Sequence, residues 1–184
     1  MGHGFSCDIK LRPREARFLP SRISAIIPPK MPRASTPSQQ LSRFLAKYTP
    51  KIAAQGRRAL AKMRKLLPGS TEMVYDNYNG LVIGFGPNDK PSLAILSILL
   101  MPDHITLCFL QGASLPDPNR RLKGSGNLVR HIRLVPPTVL DDPEILDLIN
   151  TALYRAKIPI NPKARRQLII KSISSKQRPR RPVA

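Results

Sequence analysis

The sequence predicts an α+β domain with two N-terminal helices, a four-stranded, mainly antiparallel sheet, a closing C-terminal helix and flexible basic tails. Three observations carry this expectation. Two proline-started helical stripes occupy residues 37–67, runs of Ile, Leu, Val and Phe bounded by turn residues follow between 81 and 135, and Asp141-Asp142-Pro143-Glu144 opens a last helix. Helices followed by hairpin-connected strands pack as two layers around one core, and a folded span of about 120 residues suffices to build it.

Residues 1–36 show no sustained period. Arg12, Pro13, Arg14 and Arg17, then Pro20, Pro28, Pro29 and Pro32, oppose helix and sheet alike, so this head is expected to be disordered. Met31 lies just upstream of the first convincing element, which suggests a translation start there and an over-called stretch at 1–30. An intact mass that included Gly2 to Lys30 would overturn that start.

Order is expected from Thr36-Pro37-Ser38-Gln39, a capping box with Thr as N-cap, Pro at the first helical position and Gln three residues on. Leu41, Phe44, Leu45 and Tyr48 follow at helical spacing. Thr49-Pro50 restarts the signal, and Ile52, Gly56, Ala59, Leu60, Met63, Leu66 and Leu67 form a second stripe that Pro68-Gly69 ends. Its outer face carries Lys51, Arg57, Arg58, Lys62, Arg64 and Lys65, and residues 38–67 contain no Asp or Glu.

Strands are expected at 81–85, 93–100, 105–110 and 128–135, with Pro102-Asp103 turning the second into the third as a hairpin. Asp141, Asp142 and Glu144 complement the dipole of the last helix, whose buried stripe is Ile145, Leu146, Ile149, Ala152, Leu153 and Ala156. Beyond Pro159 the chain turns basic. Leu168, Ile169 and Ile173 suggest a short helix within 159–184, and the last ten residues are expected to be disordered. The folded domain is thus expected over 37–158.

The net charge of +20 is uneven: +5 on residues 1–37, +7 on 38–158 and +8 on 159–184, where eight Lys/Arg meet no acid. Charge of this sign favours polyanions such as nucleic acid without specifying one. Cys7 and Cys108 are too few for a disulfide framework or a four-ligand metal site. Two unrelated thiols fit a reducing cytoplasm, and no apolar run is long enough to span a bilayer.

The stretch densest in ligand-capable residues is the loop 111–127, which is 17 residues long. Loops of that length in compact domains serve function or are disordered. It holds Arg120, Arg121, Lys123, Gly124 and Gly126, with Arg130 on the strand behind it. Glycines let backbone N–H groups converge on an anion and Arg donates bidentately, so one reading is an anion site. The alternative is structural: the glycines solve turn geometry, the cations are solvated, and Asp117 pairs with Arg130. Strand alternation places Arg130 with Leu128, Ile132 and Leu134 on an apolar face, where an Arg needs a partner.

The motifs Leu107 and Phe109 in the strand, Gly112, Ala113 and Leu115 after it, Asp117-Pro118, Leu122, Gly124, Gly126 and Arg130-His131-Ile132 recur in that order. Together with Pro68-Gly69 before Glu72 and Tyr75, and the helix ILDLINTA, they resemble the YdhG-like family over about residues 38–158. The resemblance implies a small bacterial domain of unknown function, one branch of which is proposed to be a frataxin-like iron chaperone. Iron prefers carboxylate and imidazole ligands. The absence of acids from 38–67 departs from that branch, and Tyr75-Asp76-Asn77-Tyr78-Asn79-Gly80 lacks the family's proline after the tyrosine.

No reaction is expected. His3, His104 and His131 have no second ligand at metal spacing, and Ser6, Ser97, Ser114 and Ser125 lack a nucleophile elbow. The sequence specifies no cofactor. The expected function is a cytoplasmic, non-enzymatic binding domain that uses the loop 111–127 and the adjoining sheet. The alternative is electrostatic, sequence-tolerant binding of nucleic acid through the basic helix and the C-terminal tail. Iron handling ranks third.

Overall fold

The computed structural model describes residues 35–135 and 137–181. The expectations for the disordered head and the start at Met31, with His3, Ser6 and Cys7, lie outside the described residues.

Helix α1 (Pro37–Ala46) starts with the capping box: the Thr36 hydroxyl accepts from the Gln39 N–H, and the Gln39 side chain accepts from the Thr36 N–H. Helix α2 (Pro50–Leu66) is capped by the Thr49 hydroxyl alone, which accepts the Ile52 N–H. Strands β1 (Thr71–Asp76), β2 (Leu81–Gly86), β3 (Leu96–Leu100), β4 (Ile105–Phe109) and β5 (Arg130–Arg133) follow, then α3 (Pro143–Tyr154) and β6 (Gln167–Ile173). They form one six-stranded sheet in the order β5-β4-β3-β2-β1-β6, antiparallel throughout except for the parallel pair β1–β6.

This corrects the expected fold. The sheet is six-stranded and mixed, and α3 does not close the domain, because β6 follows it. As far as Arg181, the tail read as partly helical and then disordered is an ordered strand and a docked segment. A seven-residue strand beside a paired neighbour satisfies its backbone along the length of β1, whereas a short helix in solvent would not be stable alone.

One sheet face packs on the helices. Across it, Ile170, Val74, Ile83, Ile98, Leu107 and Ile132 form a continuous row from edge to edge. All but Ile170 are buried, and they share a core with Leu41, Phe44, Leu60, Met63, Ile145 and Ile149 from the helices. On β1 the residues alternating with Val74 on this face are Glu72 and Asp76, both fully buried. These two acids are why β1 escapes a search for apolar strands.

Each buried acid is held by two cations, one from the helical layer and one from the C-terminal segment. Arg64 of α2 donates to both Glu72 oxygens at 2.7 Å, and Arg166 approaches from the other side at 3.4 Å. At the far end of β1, Lys47 after α1 lies 2.5 Å from Asp76, and Arg180 meets its second oxygen at 3.2 Å. Arg180 is itself buried, bonds the Asn77 and Tyr78 carbonyls, and stacks its guanidinium 5.7 Å from the Tyr48 ring. Removing one partner of such a pair strands a buried charge, so β6 is clamped to β1 at both ends.

Candidate functional site

The long loop uses its charges on itself. Both carboxylate oxygens of Asp117 accept backbone N–H groups, from Arg121 and Leu122, each at 2.8 Å. Asp117 therefore does not pair with Arg130, and the expected clasp is corrected. Arg130 instead turns its guanidinium back to the carbonyls of Gly126 and Val129. The anionic partner was already committed to the turn, and neutral carbonyls within reach satisfied the arginine. The register agrees with the anticipated apolar side for Ile132 and Leu134, which are buried, but Leu128 is exposed.

Arg121 reaches α3, where it bonds Asp142 and Glu144, both at 2.6 Å. Its hydrogen bond holds the Asp142 carboxyl below the usual carboxylate range, while Asp142 also caps α3 by accepting the Glu144 N–H. The Lys123 ammonium bonds the Arg120 carbonyl, and the Lys123 backbone exchanges two 2.9 Å hydrogen bonds with His131. The loop thus shields the outer edge of β5. Gly124, at φ +113°, holds a conformation that side chains rarely adopt, and the carbonyl of Gly126 receives Arg130. Arg120 alone of the loop's cations forms no ion pair or side-chain hydrogen bond among the described residues.

Cys108 faces His131 across the β4–β5 pair. Burial pushes its thiol up, away from the thiolate a nucleophile requires, despite a hydrogen bond with Ser97 that pulls the other way. Among the described residues no three His, Cys, Asp or Glu side chains gather as a metal site, and no helix is long and apolar enough to cross a membrane.

Helix α2 contrasts with the loop. Lys62 pairs with Asp141 and Arg64 with Glu72, but Lys51, Arg57, Arg58 and Lys65 are exposed and have no ion pair among the described residues. Lys51, Arg58 and Lys65 recur every seven residues, so they stand along one line of the helix at a spacing of about 10 Å. Exposed Ala54 and Ala61 lie between them and keep the ridge low. The end of α2 abuts a second basic segment. Gly69, at φ +75°, sits so close to the carbonyls of Asn161 and Ala164 that a β-carbon would fall 2.0 Å from the first. Exposed Lys163, Arg165 and Arg166 follow from there.

The α2 cations were legible as a helix face with no acid. A further feature was not: a cleft at the C-terminal end of α3, formed by residues from 92–95, 109–115 and 152–158. Segments so distant in sequence leave no local pattern to read.

No protein-family model matches the chain, and no curated protein or solved structure does either.

Proposed function

We propose that this protein binds polyanions, nucleic acid above all, through the exposed ridge of α2 and the adjoining Lys163 and Arg165. The supporting observation is the line Lys51–Arg58–Lys65, without an ion pair among the described residues, on a helix that carries no acidic residue. Phosphate oxygens gain from such cations by releasing condensed counterions, without any base being read. The most exposed tyrosines, Tyr78 and Tyr154, lie on the β1–β2 turn and on α3, so among the described residues no stacking platform borders the ridge and binding is sequence-tolerant. The C-terminal tail contributes less than its charge suggests, since Arg180 is buried and Arg181 bonds the carbonyls of Ala46 and Tyr48.

The loop 111–127 gains less support as an anion site, because Asp117, Lys123 and Arg130 are already bonded to backbone groups and Arg121 to Asp142 and Glu144. Membership of the YdhG-like family is proposed on the sequence motifs. A frataxin-like role has no supporting observation here.

Titrating a fluorescent DNA duplex from low to physiological salt tests the reading. Each phosphate contact contributes a log–log slope of about −0.9, so Arg58→Glu with Lys65→Glu should flatten the slope by about two contacts. Absence of binding at low salt would refute it.

A further inference from the structure

We propose that the cleft at the C-terminal end of α3 binds a small organic carboxylate with an apolar body. Its volume is about 370 Å³, within the range of ligand pockets.

The floor is apolar. Ile95, Phe109 and Leu115 are buried core residues that reach the cleft from below. Ala152 of α3 and Ala156 just beyond its C-cap line it, and their small side chains leave the space open. The mouth is polar and positive. Ser92 and Gln111 bring groups that make no side-chain hydrogen bond among the described residues, and Arg155 and Lys157 are exposed at the rim. Arg155 donates to the Ser114 carbonyl, a neutral partner that leaves its charge uncompensated. Lys157 has no ion pair among the described residues, and no Asp or Glu lines the cleft.

A helix C-terminus ordinarily repels anions. Here the Thr151 and Leu153 carbonyls accept the N–H groups of Arg155 and Ala156, and the two cations dominate the rim. The other end of α3 makes the opposite choice. A cavity of about 340 Å³ there is lined by Asp117, Glu144 and Asp147, and its one cation, Arg121, is paired with Asp142 and Glu144. Of the two, only the C-terminal cleft joins an apolar floor to unpaired positive charge. It lies on α3, away from the α2 ridge, and does not depend on polyanion binding.

Amide-resolved NMR titration of the full chain with 4-phenylbutyrate, octanoate and the neutral 4-phenylbutanol provides the test. At least one acid should bind saturably at millimolar concentration or tighter, with shifts centred on Gln111, Leu115 and Ala152. The alcohol should bind at least about tenfold more weakly. Lys157→Gln, a surface change that leaves the core intact, should weaken the acid several-fold, and Ala152→Leu should fill the cleft and abolish binding. The proposal fails if neither acid gives saturable shifts, if acid and alcohol bind alike, if the shifts map to α2, or if Lys157→Gln binds as tightly as the natural chain.

Discussion

Two basic regions of this chain carry similar charge and spend it in opposite ways. The C-terminal segment turns Arg180 inward onto Asp76 and holds the half-exposed Arg166 3.4 Å from Glu72, so these two cations act as fasteners of the sheet. Helix α2 turns Lys51, Arg57, Arg58 and Lys65 outward, with no ion pair for them among the described residues. Charge composition does not distinguish a fastener from a contact surface. What distinguishes them is whether a buried acid lies within reach, and here both such acids sit on β1.

The sharpest way to break this comparison is Asp76→Ala. It strands the buried Arg180 guanidinium and removes the partner of Lys47, and should cost about 3–5 kcal/mol in urea unfolding. A loss below about 1 kcal/mol would show that the segment is not fastened there.

Tyr48→Phe should be next. The buried hydroxyl accepts the Leu81 N–H at 2.9 Å and donates to the Leu100 carbonyl at 3.0 Å, joining the α1–α2 turn to the sheet. Leaving that N–H unsatisfied should cost about 1–3 kcal/mol. The substitution also has a pH signature. Burial pushes the phenol from 10.0 up to about 12, so its folded form prefers the proton. That preference is fully present below pH 10 and is lost as pH rises from 10 towards 12. Alkaline unfolding curves of the natural chain should fall through this window, and those of Tyr48→Phe should fall less.

Asp117→Ala removes the acceptor of two backbone N–H groups in a partly exposed turn, and should cost about 1–2 kcal/mol while opening 117–127 to protease. Arg130→Met should open the loop less, because it forfeits only bonds to carbonyls. Equal cleavage of both variants would overturn the ranking. The smallest effect on stability belongs to Arg58→Glu with Lys65→Glu, within about 0.5 kcal/mol for each exposed position. A much larger change would mean that these cations serve the fold, as those of the tail do.

The elements that could be read from sequence carried local signatures. Thr36-Pro37-Ser38-Gln39 makes the capping box it spells, Asp142 caps α3, and Pro102-Asp103 turns β3 into β4. Both missed strands were hidden by one arrangement. Glu72 and Asp76 break the apolar alternation of β1, and QLIIKSI sits among arginines that look solvated. Each makes sense only beside the other, because the cations flanking β6 neutralise the acids of β1. The site was legible to a similar degree. The acid-free helix face was visible, but the loop's cations drew attention that their internal partners do not support. The cleft on α3 needs three distant segments and gave no sign.

The parallel pairing of β1 with β6 has a consequence for how the chain is made. In sequence every other strand lies between the two, so β1 leaves the ribosome long before its outer neighbour exists. The hairpins β1–β2, β2–β3 and β3–β4 close early between neighbours in sequence, while one side of β1 waits with unpaired backbone and two half-neutralised carboxylates. Until Gln167–Ile173 arrives, that side is an open template for another nascent chain. The growing protein is therefore most exposed to aggregation late in its synthesis, just before β6 is added.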